Sequence, residues 1–182
     1  MNKKKKNNNS IGYSGKVTVK LEKNGKILRM SKGHNNGREP LFTFIANCLA
    51  NNYVVGLAPR YIRVLHTDEL DSEGIVDDAT VNLIQVEIVV DSLPYTSVST
   101  ISDVGNNTAT AQLTFTLPGN LFTDKIPNLL ALYSVNSQDV DKPLATYSKK
   151  EANWELVEGP IDSDVNVIVI WELSVGNVVT QE

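Results

Sequence analysis

The stretch Thr108-Ala109-Thr110-Ala111-Gln112-Leu113-Thr114-Phe115-Thr116-Leu117 alternates polar and apolar residues at every step. Successive side chains of a β-strand point to opposite faces, so Ala109, Ala111, Leu113, Phe115 and Leu117 would face a core. Thr108, Thr110, Gln112, Thr114 and Thr116 would then face water or a polar partner, as one side of an antiparallel sheet does. A helix cannot use this pattern, because a 3.6-residue repeat would spread the apolar side chains around its whole circumference.

Toward the C-terminus, Asp164 to Val175 repeats the period with Val165, Val167, Val169, Trp171, Leu173 and Val175 on one face. Ile168 and Ile170 make the other face apolar too, which predicts a strand inside a sheet covered on both sides. Shorter strands are expected at Arg60 to His66, Thr96 to Ile101, Asn128 to Val135 and Leu144 to Ser148. Val81 to Val90 reads as a long strand, with Val86, Ile88 and Val90 on one face and Gln85, Glu87 and Val89 on the other.

Toward the N-terminus, Lys16 to Leu21 alternates, Asn24-Gly25 supplies the two left-handed residues of a tight turn, and Lys26 to Met30 returns as a hairpin. The polar, glycine-bracketed Ser31 to Arg38 is expected to be a loop. One helix follows. Pro40 suits a first turn, and Leu41, Phe42, Ile45, Ala46, Cys48 and Leu49 recur at helical spacing up to about Asn52. So short a helix needs a sheet to dock on, and Cys48, on or beside its apolar stripe with no basic neighbour in sequence, is expected to be a buried structural thiol.

The fold class expected is therefore mainly β: an antiparallel two-sheet sandwich of about eight strands with one α-helix packed on it. Charge divides the chain unevenly. The 182 residues carry 17 Lys and Arg against 21 Asp and Glu, a net charge of −4. Setting aside Lys3, Lys4, Lys5 and Lys6 leaves 13 basic residues against 21 acidic ones, so the remainder stands at −8. Residues 1–15 are expected to be a flexible basic arm, 16–176 a single β-rich domain, and 177–182 a tail. Lys3, Lys4, Lys5 and Lys6 would strap the chain to a partner, nucleic acid being reachable only through them; a merely solubilising terminus is the plainer reading.

Chemistry-bearing residues are scarce. The chain has two His and one Cys, no Gly-x-Ser-x-Gly elbow and no phosphate-cradling glycine loop followed by Lys-Ser/Thr, so no catalytic residue is assigned and an enzyme is not expected. The acidic run Asp68 to Asp78 aligns Glu69, Asp71 and Glu73 with the first positions of a calcium loop, but Thr80 stands where a bidentate Glu is needed. A looser site from Asp71, Glu73, Asp77 and Asp78 stays open beside the plainer reading of a solvated loop; no metal or cofactor is assigned. Trp171 reads as core. Trp154 reads either as packing for a local hairpin or as an exposed anchor for a partner or sugar. The N-terminus lacks the apolar segment of a signal peptide, and no run approaches the roughly 18 apolar residues of a membrane span, so synthesis in the cytoplasm and no membrane contact are expected.

Six short segments carry a likeness. Gly33-His34-Asn35-Asn36-Gly37, then Leu41-Phe42 opening an apolar helix, then Ala58-Pro59-Arg60-Tyr61-Ile62-Arg63-Val64 resemble the start of a group of tailed-bacteriophage virion proteins. Leu129 to Tyr133, Pro143 to Tyr147 and Ile168 to Leu173 resemble strands of their C-terminal parts, in the same order. The resemblance covers residues 33–175 and implies a non-enzymatic structural protein of the head, collar or tail, synthesised in a host cytoplasm and residing in the virion. It carries over no catalytic or binding residue. The 19 asparagines fit an AT-rich genome, and threonine-faced strands with a basic arm fit contact with capsid, portal, collar or tail subunits, in a homo-oligomer or other symmetric assembly. A head-decoration or fibre-base role suits a small acidic body with one arm. The alternative is a β-sandwich recognition module for carbohydrate or a host-surface protein, with Trp154 among its contacts.

Overall fold

Asn24 and Gly25 adopt φ values of 53° and 77°, the left-handed pair that a two-residue hairpin turn demands, and they join β1 (Gly12–Lys23) to β2 (Lys26–His34). The computed structural model describes residues 12–50, 55–66, 87–105, 107–122, 127–135, 143–148 and 161–176. After the hairpin come β3 (Asn36–Gly37), α1 (Glu39–Leu49), β4 (Pro59–His66), β5 (Glu87–Pro94) and β6 (Ser97–Asp103). Next are β7 (Thr108–Pro118), β8 (Leu129–Ser134), β9 (Ala145–Ser148) and β10 (Asn166–Gly176).

Among the described residues the strands form two antiparallel sheets and one α-helix accompanies them, so the sandwich stands. The first sheet has the order β2-β1-β10-β7-β6; the second runs β9-β8-β4-β5, with the two-residue β3 added beside β9. β7 follows its sequence pattern: Leu113, Phe115 and Leu117 are buried, while the threonines turn outward. Its neighbour β10 is central, with Val167, Val169, Trp171 and Leu173 buried against Ile62, Val64, Leu130, Leu132 and Tyr147 of the facing sheet. β8, interior to the second sheet, is buried on both faces from Leu129 to Tyr133.

Several local expectations change. Ser31 to Arg38 is not a loop: β2 continues to His34, and the chain steps from one sheet to the other at Asn35 before β3. An edge strand exposed along its length has no need of apolar alternation, which is why polarity misleads there. β1 begins at Gly12, with Gly12 to Gly15 paired to Gly176 to Leu173, so the domain reaches back into the stretch assigned to the arm. α1 ends at Leu49, short of Asn52, and the docked side chains are Leu41, Phe44 and Ile45. Cys48 is exposed, not buried, because only the first two turns of α1 lie on the sheet.

β5 departs from simple alternation. Val64 pairs with Val90 but Leu65 pairs with Ile88, so Val89 is a bulge and Ile88 and Val90 point to opposite faces. Val90 enters the core and Ile88 does not. Residues 81–86 of the expected strand lie outside the described residues. Ile168 and Ile170 are half-buried on the outer face of β10, where the expectation had a second covering layer.

Candidate interaction surface

The residues first singled out for contact, Lys3, Lys4, Lys5, Lys6 and Trp154, lie outside the described residues, as do the acidic run 68–78 and the tail 177–182. What the structure does place is a broad outer sheet face. Lys16, Thr18 and Lys20 of β1, with Met30, Lys32 and His34 of β2, form its basic flank. Thr110, Gln112, Thr114 and Thr116 of β7, with Ser97, Ser99 and Ile101 of β6, form an uncharged flank. Glu172 and Ser174 of β10 lie between them.

Cross-strand bonds order this face. The Thr110 and Ser174 hydroxyls lie 2.7 Å apart, and Gln112 Nε2 donates to Glu172 Oε1 at 3.0 Å. Thr96 Oγ1 donates to the Thr114 carbonyl at 2.9 Å. Such pairs fix side chains on a sheet surface and present hydroxyls in rows. The β7 alternation foresaw this polar face; the lysines of the other flank belong to a hairpin whose place in the sheet is a matter of topology.

Between α1 and the inner side of β6 and β7 runs an apolar groove of about 370 Å³, lined by Leu41, Phe44, Ile45, Tyr95, Val98 and Ala111 among others. Arg60 lies 4.7 Å over the Tyr95 ring, and Tyr95 meets Phe115 edge to face at 6.4 Å, so that wall is held in place. The chemistry of the groove is apolar contact.

A polar recess lies at the sheet crossover, bounded by Tyr13, Ser14, His34, Asn35 and Arg38. Tyr13 donates its hydroxyl hydrogen to Asn35 Oδ1, and burial raises its pKa above the ordinary 10.0. Arg38 donates to Thr146 Oγ1 from Nε at 3.2 Å and from a terminal nitrogen at 2.9 Å, tying the crossover to β9. These bonds give the recess a structural part, joining the two sheets. His34 and His66 end strands of different sheets. Among the described residues no three His, Cys, Asp or Glu side chains gather as a metal site would need, and no helix is long and apolar enough to cross a membrane.

No protein-family model, curated protein or solved structure matches the chain.

Proposed function

We propose that this protein is a structural component of a tailed-bacteriophage particle, acting through protein–protein contact and not through chemistry, with a head-decoration or fibre-base position preferred over collar or tail. The observation that carries the contact reading is the uncharged flank of the first sheet. It presents hydroxyl rows on β7 and ends at β6, every residue of which is exposed. The outer edge of such a strand is a liability to a monomer, whereas a subunit in an assembly can pair or cover it.

The particle reading rests on the motif resemblance, whose segments the fold distributes as follows. The segments at Asn36-Gly37, Ala58 to Val64, Leu129 to Tyr133 and Pro143 to Tyr147 are far apart in sequence, yet they supply β3, β4, β8 and β9 of one sheet. The other two segments lie elsewhere, Leu41-Phe42 in α1 and Ile168 to Leu173 in β10 of the first sheet.

Mass spectrometry of purified particles tests the reading, since it requires the protein in stoichiometric amount. Deleting residues 2–10 should leave a folded protein that no longer joins particles, whereas a carbohydrate or receptor module would keep its ligand. Absence from particles overturns the proposal.

A further inference from the structure

Among the described residues four strands stand at sheet edges: β2 and β6 in the first sheet, β3 and β5 in the second. An exposed edge offers a row of unpaired backbone N–H and C=O groups to any other strand, and soluble proteins block it with charge, proline, bulges or brevity. Three of the four edges are blocked. β2 carries Lys26, Arg29 and Lys32 and a bulge at Leu28. β3 is two residues long. β5 carries Asp91 and Pro94 and shifts register twice.

Among the described residues β6 has none of these defences. Its sequence, Ser97-Val98-Ser99-Thr100-Ile101-Ser102-Asp103, contains no proline, and its one charge is at its last residue. Its pairing with β7 is unbroken from Ser97 opposite Thr114 to Asp103 opposite Thr108, so the free edge is regular as well as exposed. Large apolar side chains are exposed on both of its faces and just beyond it: Val98 on the inner face, Ile101 on the outer and Val104 in the following turn are 55%, 53% and 85% exposed.

The spacing of those three residues identifies the occupant. Val98 and Val104 are equidistant in sequence from Ile101. An antiparallel pair of β6 strands with a two-fold axis at Ile101 therefore sets Ile101 against its own copy and brings Val98 to Val104, the turn residue that follows Asp103 of the other copy. The same register sets Thr100 against Ser102 and Asp103 against Ser99, so no like charges face each other. Apolar, polar and charged positions are all matched by one symmetric register. We propose that a second copy of this chain pairs along β6 in this register, joining two five-stranded sheets into one continuous sheet across a closed two-fold interface. This deepens the contact-protein reading and rests on it for the choice of surface.

Sedimentation equilibrium of the purified full chain, from roughly 1 μM to roughly 1 mM, should show a reversible monomer–dimer equilibrium. Ile101→Lys places two like charges opposite each other at the axis and should weaken dimerisation by about tenfold or more, since each change counts twice. Its thermal midpoint should stay close to that of the parent, because Ile101 faces solvent in the single chain. A second variant is independent of that assumption. In a Cys48→Ser background, which removes the exposed native thiol, Ile101→Cys should form a disulfide-linked dimer on mild oxidation while Leu28→Cys on the blocked β2 edge should not. A chain monomeric throughout that range, an Ile101→Lys variant that dimerises as well as the parent, or equal cross-linking at the two edges would overturn the pairing. None of these results bears on whether the protein enters particles, so the two readings fail separately.

Discussion

The side chain of Asn35 occupies the space that a Cβ on Gly15 would take. At this point the chain passes from β2 to β3, and Asn35 N donates to the Gly15 carbonyl at 3.2 Å while Asn35 Nδ2 reaches the Glu172 carbonyl at 3.5 Å. The glycine is thus required by close approach. Gly15→Ala would push a buried amide and the Tyr13 hydroxyl aside together, and we expect a loss of about 1–3 kcal/mol in urea unfolding. In the double variant with Asn35→Ala the two penalties should not add, because the clash with the amide disappears and only the Tyr13 hydroxyl has still to move. A Gly15→Ala variant as stable as the parent would refute the account.

Tyr13 gives the same crossover a pH dependence. Burial raises its pKa above 10.0, so the folded state favours the neutral phenol that donates to Asn35. For a group raised on folding, the contribution is complete below the unfolded value and is lost as pH climbs from there toward the folded one. Near pH 7 Tyr13→Phe should cost about 0.5–1.5 kcal/mol, the net worth of one hydrogen bond. Above about pH 10 the parent should lose its advantage, and the two stabilities should converge. Urea midpoints of both proteins at neutral and alkaline pH measure this; a constant difference would contradict it.

How far the sequence spoke depends on the range over which each feature is determined. β7 and the Asn24-Gly25 turn were legible because alternation and left-handed turn residues are local signals. Residues 31–34 were not, since the half-buried side of this edge strand is taken by Ser31 and Gly33, which leave no apolar period to read. The bulge at Val89 escaped because counting by twos assumes an unbroken register. Cys48 was misplaced because the helical stripe marks a face without saying where the sheet beneath it ends. The hydroxyl row of β7 was visible in the sequence, but the edge position of β6 was not, because strand order is settled by contacts between residues far apart in the chain.

Trp171 provides a test of the core. It is fully buried on the central strand β10, opposite Val17 on one side and Leu113 on the other. Its Nε1 hydrogen meets no acceptor among the described residues. Trp171→Phe loses ring area but also removes a buried donor worth about 1–3 kcal/mol of desolvation. The net change should therefore stay below about 1.5 kcal/mol, while Trp171→Ala should cost about 3–5 kcal/mol. Chemical denaturation of both variants decides it, and a Phe variant as damaged as the Ala variant would show that the indole N–H has a strong partner.

Arg63 is buried on the outer side of the second sheet, and its pairing predicts an acid-sensitive contact. Its Nε donates to Asp91 Oδ1 at 3.1 Å and to Ser92 Oγ at 2.8 Å, and its guanidinium lies 4.7 Å over the Tyr133 ring. The register shift in β5 is what brings two consecutive residues, Asp91 and Ser92, opposite one arginine. Hydrogen bonding from Ser92, its hydroxyl first and then its backbone N–H, holds the Asp91 carboxyl below 3.8, and the Arg63 charge adds to this. A group lowered on folding contributes above its unfolded value and loses that contribution as pH falls below it. Stability from this contact should accordingly be constant above about pH 4 and fall on further acidification, with a small amplitude because the Asp91 side chain is 70% exposed. Asp91→Asn should cost about 1 kcal/mol or less near neutral pH and flatten that acid limb. Arg63→Ala should cost more, about 2–3 kcal/mol, because a buried side chain and its guanidinium over the Tyr133 ring are lost with the charge, and Arg63→Met, which refills the buried volume of the stem, should recover most of it. Equal losses for the Ala and Met variants would place the stabilisation in the charge and not in the buried stem.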